Sequence, residues 1–315
     1  MSKILVTGGF GYLGGRIVSY LSGKGHKVAI GTRNKERLSE PNTVLTDFEN
    51  QALLTAKFND FDTIVHLAGM NEIEAAKNPE AALYTTATYT LRAVQAAKLA
   101  GISRFIYFST VHVYGSPLSG VIKENSPTRA SHPYSISHRA AEDFVFQAHR
   151  EGSLNGTIFR LSNGYGFPES PTVNRWTLLV NDLCRQVALT GQITLKSSGL
   201  QYRDFIPLAD VCSAVNHFIT APCQDNPIFN LGSGQSITVL DVANLIAERY
   251  KVVTGNKAVM NIPKAKVNEN PLSFNLSVEK LKSAGVSTHS ILNSEIDELI
   301  KRCIQWDSEG NFDKN

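Results

Sequence analysis

Residues 7–14 read Thr7-Gly8-Gly9-Phe10-Gly11-Tyr12-Leu13-Gly14 and lie between two segments of opposite character. The short apolar run before them, residues 3–7, is typical of a buried strand, and residues 13–21 have the apolar period of a helix. Glycines at positions 8, 11 and 14 permit a tight turn and a close approach of helix to strand. This stretch therefore predicts a strand, a turn and a helix in direct succession.

The same alternation of apolar runs and helical stretches continues along the first half of the chain. It predicts strands at 27–31, 43–46, 63–67, 104–109 and 156–161, and helices at 51–58, at 80–99 and from 134 onward. Strands separated by helices of ten or more residues indicate a parallel sheet that is covered on both faces. The predicted fold class is α/β, a Rossmann-type doubly wound parallel sheet with a smaller C-terminal substrate-binding lobe.

The second half is less regular and sets the predicted domain limits. Residues 1–162 are assigned to a dinucleotide-binding domain and residues 163–306 to the smaller, interleaved lobe, which contains a helix near 178–189 and a strand near 193–196. Segments near 204–220 and 227–231 are expected to return to the main sheet. The polar tail, residues 307–315, is expected to fray.

Composition narrows the possible partners. Of 315 residues, 42% are hydrophobic and 19% charged, with a formal charge of +3 and no run of basic residues that would bind a nucleic acid backbone. The four cysteines have no CxxC spacing, which argues against a metal site and a disulfide framework and favours a reducing compartment. No segment reaches 18 apolar residues, which argues against a membrane span. Taken with the charge pattern and the cysteine spacing, this predicts a cytoplasmic protein without a nucleic acid, membrane or metal partner.

The glycine turn also predicts a ligand. Backbone N–H groups at the start of the helix can bind a pyrophosphate, and a turn of this spacing after a strand is typical of dinucleotide sites. The end of the next strand reads Ile30-Gly31-Thr32-Arg33-Asn34, with no acidic residue for a ribose 2′-hydroxyl. Arg33 offers a guanidinium for a 2′-phosphate, so NADP(H) is favoured over NAD(H) unless Arg33 is only a surface residue. Asp47 is a candidate for the adenine amino group or for a loop cap.

Further motifs occur in a fixed order along the chain. Together they resemble the extended short-chain dehydrogenase/reductase family, the branch of nucleotide-sugar epimerases, dehydratases and reductases. The segments that carry this resemblance are residues 7–14, Asp62-Thr63-Ile64-Val65-His66-Leu67-Ala68-Gly69, Phe108-Ser109-Thr110-Val111-His112-Val113-Tyr114-Gly115, Tyr134 with His138, residues 160–168, Arg203-Asp204-Phe205-Ile206-Pro207 with Asp210, and residues 230–234.

The resemblance implies a set of site residues. Tyr134 would be the acid/base, Thr110 would bind the reacting oxygen, and His138 stands where the family has a lysine that binds the cofactor ribose. Asn163 and Arg203 would face a nucleotide-sugar substrate. His112 lies two residues past Thr110, and by strand alternation its side chain is expected to face the same substrate, with loop packing as the alternative. The implied cofactor contacts are Gly8, Gly11, Tyr12, Leu13, Gly14, Arg33, Asp47, Phe48, Leu67, Ala68, Gly69, Ser109, Tyr134 and His138.

Other residues in these motifs are expected to be structural, namely His66, Asp204 and Asp210. Thr86 occupies the place where many members have an asparagine, and Val111-His112 occupies the place where dehydratases have Asp-Glu, which weakens a 4,6-dehydratase hypothesis. The family also implies a homodimer, paired here through residues 80–99 and 134–149.

Histidine at position 138 bears on the reaction. A histidine with a pKa near 6.5 is mostly neutral at pH 7.5, so it helps less than lysine to ionise Tyr134. A reductase begins with a neutral tyrosine that donates a proton, whereas an oxidation begins by removing one. The leading hypothesis is therefore an NADP(H)-dependent reductase of a 4-keto nucleotide sugar. The alternatives are an epimerase with tightly bound NAD and a cofactor-binding sensor with weakened catalysis.

Overall fold

The structure is a computed structural model that describes residues 1–267 and 271–312. In chain order its strands are β1 Lys3–Thr7, β2 Lys27–Thr32, β3 Thr43–Leu45, β4 Thr63–His66, β5 Arg104–Thr110, β6 Gly120–Ile122, β7 Asn155–Leu161, β8 Asn163–Tyr165, β9 Gln192–Thr194, β10 Tyr202–Pro207, β11 Ile228–Leu231, β12 Ser236–Thr238, β13 Val259–Asn261 and β14 Phe274–Leu276.

The α-helices are α1 Tyr12–Gly23, α2 Gln51–Phe58, α3 Glu72–Lys77, α4 Pro79–Ala82, α5 Tyr89–Leu99, α6 Pro133–Arg150, α7 Leu179–Thr190, α8 Leu208–Thr220, α9 Val239–Thr254, α10 Glu279–Ser283 and α11 Asn293–Ser308. Short 3₁₀ helices span Lys35–Ser39 and Val111–Tyr114, and a π-helix spans Leu83–Thr88. Over the described residues, no helix is long and apolar enough to span a membrane.

Seven parallel strands form the central sheet in the order β11-β7-β5-β4-β1-β2-β3. The chain runs outward from β1 to β3 on one side and then continues from β4 on the other. At this reversal Thr7 lies opposite both Gly31 and His66. Ligands of such sheets bind beyond the carboxyl ends of the strands where the order reverses. The predicted α/β fold class is confirmed.

Both faces of the sheet are buried, as its strand sequences require. Along β5, Phe105 and Tyr107 face the layer formed with α5 and α6, whereas Ile106 and Phe108 face the layer formed with α1 and α8. Complete burial of an apolar side chain contributes about 1.5–3 kcal/mol, so alternate residues of one strand hold a helix layer on each side. The carboxyl end of β5 is thereby fixed between the two layers.

The C-terminal lobe has small sheets and its own core. Strands β12, β10 and β8 form one sheet, and α7, α9 and α11 pack around aromatic and aliphatic side chains that include Trp176 and Trp306. Segment 204–220 is divided between the two lobes, because β10 joins this small sheet while α8 packs on α1. Segment 227–231 forms β11, which lies at the edge of the main sheet.

Two predicted elements differ from the structure. The expected helix at 80–99 is three pieces, because the π-helix Leu83–Thr88 separates α4 from α5. The expected frayed tail is wrong for its first part, since α11 runs to Ser308 and the buried ring of Phe312 packs 5.4 Å from that of Trp176. Apolar burial orders this part of the tail; residues 313–315 lie outside the described residues.

Candidate active site

The glycine turn fits a dinucleotide. Gly8 has a φ of +71°, and a Cβ at Gly14 would lie 2.2 Å from the Gly8 carbonyl oxygen. Gly11 caps α1 and has no side chain with which to occupy the first N–H groups of the helix. These groups are the ones that bind a pyrophosphate in related turns. The turn, the open helix end and the absence of Cβ atoms are all compatible with NAD or NADP.

A cavity of about 580 Å³ opens from this turn along the carboxyl ends of β1, β4, β5 and β7. The structure brings most of the predicted residues to its lining: Gly8, Gly11, Tyr12, Leu13, Gly14, Leu67, Gly69, Ser109, Thr110, His112, Tyr134, His138, Asn163 and Arg203. Residues that the sequence did not single out for the site also line it, including Glu72 and Thr177.

Four predicted cofactor residues, Arg33, Asp47, Phe48 and Ala68, lie outside this lining. The exposed guanidinium of Arg33 lies 5.3 Å from the ring centroid of Tyr89, and Phe48 stacks on that ring at 4.9 Å. The Asp47 carboxylate accepts a hydrogen bond from the Glu49 amide at 3.0 Å, which is the loop-capping alternative.

Helix α6 places Tyr134 and His138 on one face, four residues apart. Pro133 begins the helix and His132 caps it by accepting a hydrogen bond from the Tyr134 amide. The Tyr134 and His138 rings meet edge to face with their centroids 4.5 Å apart. The helix start therefore fixes Tyr134 and His138 at the cavity wall.

His138 is held from the sheet side. Its Nδ1 lies 2.7 Å from the hydroxyl of Tyr107 on β5, and both residues are buried. Burial lowers the pKa of His138 to about 4, with a smaller lowering from the positive field of His112, against a hydrogen bond to the Phe108 carbonyl. The imidazole is therefore neutral at physiological pH, so it lacks the charge that a lysine would have here.

Tyr134 is also neutral at rest. Burial raises its pKa to about 12, and the carboxylate of Glu72 adds to the rise, while Arg175 and the Thr110 side chain oppose it. A phenol with this pKa keeps its proton throughout the physiological range. The Tyr134 hydroxyl is thus able to donate a proton into the cavity.

Thr110 and His112 lie at the end of β5 beside Tyr134. The strand alternation expected to direct His112 toward the cavity does not occur, because β5 ends at Thr110 and a 3₁₀ helix follows. The Thr110 hydroxyl caps that helix by accepting a hydrogen bond from the His112 amide at 3.2 Å. The turn brings the His112 ring to 6.5 Å from that of Tyr134, and burial and Arg203 lower the pKa of His112.

Ser109 has a partner below the cavity. Its hydroxyl donates to the Glu142 carboxylate at 2.6 Å, and the buried Arg160 guanidinium binds the same carboxylate at 2.9 and 2.7 Å. Glu142 lies two turns after Tyr134 on α6. The network therefore fixes α6 against β5 and β7. The i, i+4, i+8 spacing of Tyr134, His138 and Glu142 places these three residues on one face of α6, and this spacing is the sequence signal for Glu142.

On the substrate side, the Asn163 amide donates to the Asp204 carbonyl at 2.8 Å, and Arg203 is exposed toward the cavity. Asp204 accepts hydrogen bonds from Ser233 and Gly234, which is a structural role. The Tyr12 hydroxyl donates to the Gly166 carbonyl at 3.0 Å, which links α1 to the C-terminal lobe.

Three other positions from the sequence argument have defined partners. His66 is buried with Nδ1 2.8 Å from the Thr7 hydroxyl, and burial lowers its pKa to about 3. Asp210 accepts a hydrogen bond from the His289 amide. The Thr86 hydroxyl, in the π-helix, accepts one from the Met70 amide at 3.3 Å. Within the described residues no cluster of three or more metal-ligating side chains occurs.

Comparison with known proteins identifies the family of the chain. Residues 4–232 match the NAD dependent epimerase/dehydratase family. A UDP-glucose 4-epimerase from Streptomyces lividans is 27% identical over 81% of this chain and 82% of its own. The structure of UDP-N-acetylglucosamine 4-epimerase from Bacillus cereus aligns with a TM-score of 0.79 at 25% identity, over 96% and 99% of the two chains.

A third similarity concerns the fold alone. The structure of RMD from Pseudomonas aeruginosa complexed with NADPH has a TM-score of 0.77 at 20% identity, over 97% of this chain and 99% of its own. The chain belongs to the NAD dependent epimerase/dehydratase family. This membership confirms the resemblance to the extended short-chain dehydrogenases/reductases and the prediction of an enzyme of that class.

Proposed function

We propose that the protein is an NADP(H)-dependent reductase of a 4-keto nucleotide sugar. The observation that carries the proposal is the pairing of two neutral groups, Tyr134 and His138, at the reaction centre. A reduction needs a proton donor at the carbonyl oxygen, and a neutral phenol is that donor. An oxidation needs the phenolate, and a neutral imidazole gives it little support.

Each side chain has a defined task in this proposal. Tyr134 donates its proton to the carbonyl oxygen of the sugar, and the Thr110 hydroxyl stabilises the negative charge that develops on that oxygen. His138 orients the cofactor ribose by hydrogen bonding. Asn163 and Arg203 bind the nucleoside diphosphate, for which a planar guanidinium fork is well suited. The bound nicotinamide supplies the hydride.

The choice of NADP(H) depends on Arg33. It follows the end of β2, no acidic side chain stands among residues 30–34, and its exposed guanidinium is available for a 2′-phosphate. The glycine turn and the open start of α1 would bind the pyrophosphate of either dinucleotide. We assign Gly8, Gly11, Tyr12, Leu13, Gly14, Leu67 and Gly69 to cofactor binding on the basis of the cavity lining.

The reductase proposal is tested by incubating the protein with NADPH and a panel of UDP- and dTDP-4-keto sugars. Loss of the reduced-nicotinamide absorbance, with one equivalent of reduced sugar formed, is the expected result. Tyr134→Phe should abolish the reaction without loss of NADPH binding. If none of the 4-keto sugars oxidises NADPH, the proposal fails.

A nucleotide-sugar epimerase is the second candidate, favoured by a specific observation: the Streptomyces relative of 27% identity is a UDP-glucose 4-epimerase. An epimerase of this kind oxidises and re-reduces its substrate on one cofactor. Stoichiometric NAD released only on denaturation, together with interconversion of sugar epimers and no net nicotinamide turnover, would favour it over the reductase.

We also propose a homodimer in the cytoplasm. The helical layer of α5 and α6, with the π-helix before α5, exposes the apolar side chains of Leu83, Tyr84, Leu99 and Ile136. Exposed apolar groups on paired helices are suited to burial against a second copy. Light scattering of the purified protein should give twice the mass of one chain, and Leu99→Glu should reduce that mass.

A further inference from the structure

An ion pair crosses the cavity between the two lobes. Glu72 is the first residue of α3, on the dinucleotide-binding side, and Arg175 lies on the connection from β8 to α7. Both line the cavity, and both outer nitrogens of the guanidinium lie 3.4 Å from one carboxylate oxygen of Glu72. The pair thus links the lobes directly across the ligand space.

The geometry of this pair is loose. The buried Arg160 guanidinium contacts both oxygens of Glu142 at 2.9 and 2.7 Å, and Arg16 contacts both oxygens of Glu295 at 2.6 and 3.2 Å. Short contacts to two oxygens are the mark of a strong guanidinium pair. Glu72 presents only one oxygen to Arg175, at 3.4 Å from both outer nitrogens, so the guanidinium N–H groups lack short hydrogen bonds to a second oxygen of Glu72.

The pair is also accessible. The side chains of Arg175 and Glu72 are 24% and 39% exposed, whereas those of Arg160 and Glu142 are 3% and 0% exposed. Solvent-exposed pairs contribute about 0–1 kcal/mol, which an entering anion readily replaces. Within the part of the chain that the structure describes, the cavity lining contains two arginines, Arg175 and Arg203, and no lysine.

We propose that Arg175 is a binding residue for a diphosphate and that Glu72 is a built-in competitor, which holds the guanidinium until the ligand enters. A phosphate offers a guanidinium the two-oxygen geometry that Glu72 does not. The dinucleotide and the nucleotide sugar each contain a diphosphate that suits Arg175. The experiment below determines which of the two ligands Arg175 binds. The proposal rests on the proposed function only for the nucleotide-sugar source.

If Arg175 exchanges Glu72 for a diphosphate, the charges that act on Tyr134 also change. Glu72 raises and Arg175 lowers the pKa of Tyr134, so the two charges now act on the phenol in opposite directions. When Arg175 turns to a diphosphate, α3 loses its link to the C-terminal lobe. Arg175 therefore either binds the diphosphate or joins α3 to the C-terminal lobe, and it does not do both at once.

Calorimetric titration with UDP, dTDP and NADP⁺ as separate probes tests the proposal on the full-length protein. Glu72→Gln removes the competitor, and we expect binding of at least one probe to tighten by about 3-fold. Arg175→Gln should weaken the same probe by about 10-fold or more. In the double variant the gain from Glu72→Gln should vanish, because the competition no longer exists.

The probes distinguish the two sources. A change with UDP or dTDP alone assigns Arg175 to the substrate, and a change with NADP⁺ alone assigns it to the cofactor. Glu298→Gln is the matched control, since the Arg302–Glu298 pair on α11 has similar exposure and lies outside the cavity lining. This variant should leave all three affinities unchanged, and thermal unfolding should show that every variant is folded.

Two results would overturn the proposal: affinities of Arg175→Gln that equal the wild-type values for all three probes, or a gain from Glu72→Gln that persists in the double variant. Because the titration needs no turnover, failure of the reductase assay leaves it intact. A wild type that binds neither UDP nor dTDP contradicts the nucleotide-sugar function, and the NADP⁺ probe then decides the role of Arg175 by itself.

Discussion

Nδ1 of His138 and the hydroxyl of Tyr107 lie 2.7 Å apart in the buried layer between β5 and α6. The contact engages a ring nitrogen of the imidazole, at the position where the family resemblance implies a lysine. A lysine can direct its ammonium group freely from a flexible stem, whereas this ring is oriented by the strand beneath it. Residue 138 therefore has a fixed orientation and no charge at neutral pH.

Removal of the Tyr107 hydroxyl should disturb cofactor binding through His138. Tyr107→Phe leaves Nδ1 without its partner, and an unpaired buried group costs about 1–3 kcal/mol. We expect lower stability together with a severalfold rise in the dissociation constant of NADP(H), measured by fluorescence titration. Tyr114→Phe is the matched control, because its buried hydroxyl donates to Asn230 and accepts a hydrogen bond from Arg160, and neither partner lines the cavity. This variant should lower stability but leave the cofactor affinity unchanged.

A lysine at position 138 should shift the pH dependence of catalysis. In His138→Lys the new cation stabilises the Tyr134 phenolate, and a nearby opposite charge lowers such a pKa by about 1–3 units. The pH midpoint of the oxidative rate should fall by a similar amount. His138→Gln, which adds no charge, should leave that midpoint in place. Equal midpoints in the lysine and glutamine variants would show that residue 138 does not act on the phenol.

His138 should also make the fold acid-sensitive. Its folded pKa of about 4 lies below its ordinary value of 6.5, so the unfolded chain binds an extra proton between these two values. Stability is therefore unaffected above pH 6.5 and falls as pH decreases toward 4. Urea unfolding at pH 7 and pH 5 should show a loss that is smaller in His138→Gln by about 2 kcal/mol. The buried His66 adds a loss of the same sign in both proteins.

Arg33 should select the cofactor. Arg33→Gln removes the guanidinium proposed for the 2′-phosphate, so NADP⁺ binding should weaken by about 10-fold while NAD⁺ binding stays constant. Lys35→Gln removes a neighbouring positive charge and serves as the control for a general effect of charge. If Arg33→Gln weakens the binding of both cofactors equally, or if Lys35→Gln weakens NADP⁺ binding as much, Arg33 has no specific role in cofactor selection.

The sequence was sufficient for the fold class and for the residues of the glycine turn, β5 and α6 that line the cavity, because these follow from short-range patterns. The glycine turn, the strand ends and the four-residue spacing of Tyr134 and His138 are local features. The partners of these residues are not local: Tyr107 is 31 positions from His138, and Arg175 is 103 positions from Glu72. Only the packing of the sheet and the lobes brings them together.

The same distinction explains the errors. His112 reaches the cavity through a 3₁₀ turn that the Thr110 hydroxyl caps, and a strand pattern does not contain that turn. Phe312 has polar neighbours in sequence, so the tail suggested fraying, but its ring finds Trp176 across the lobe. Local composition predicts whether a segment is apolar on average and not which distant surface it meets.

The central claim is that neutral Tyr134 donates a proton while a hydride moves from NADPH to the sugar. The most direct measurement is a single turnover with NADPH deuterated at the transferred position and a 4-keto nucleotide sugar, followed by mass analysis of both products. We expect one NADP⁺ and one deuterium in the sugar for each turnover in the wild type, and neither in Tyr134→Phe. Epimerised sugar without deuterium and without NADP⁺ would contradict it.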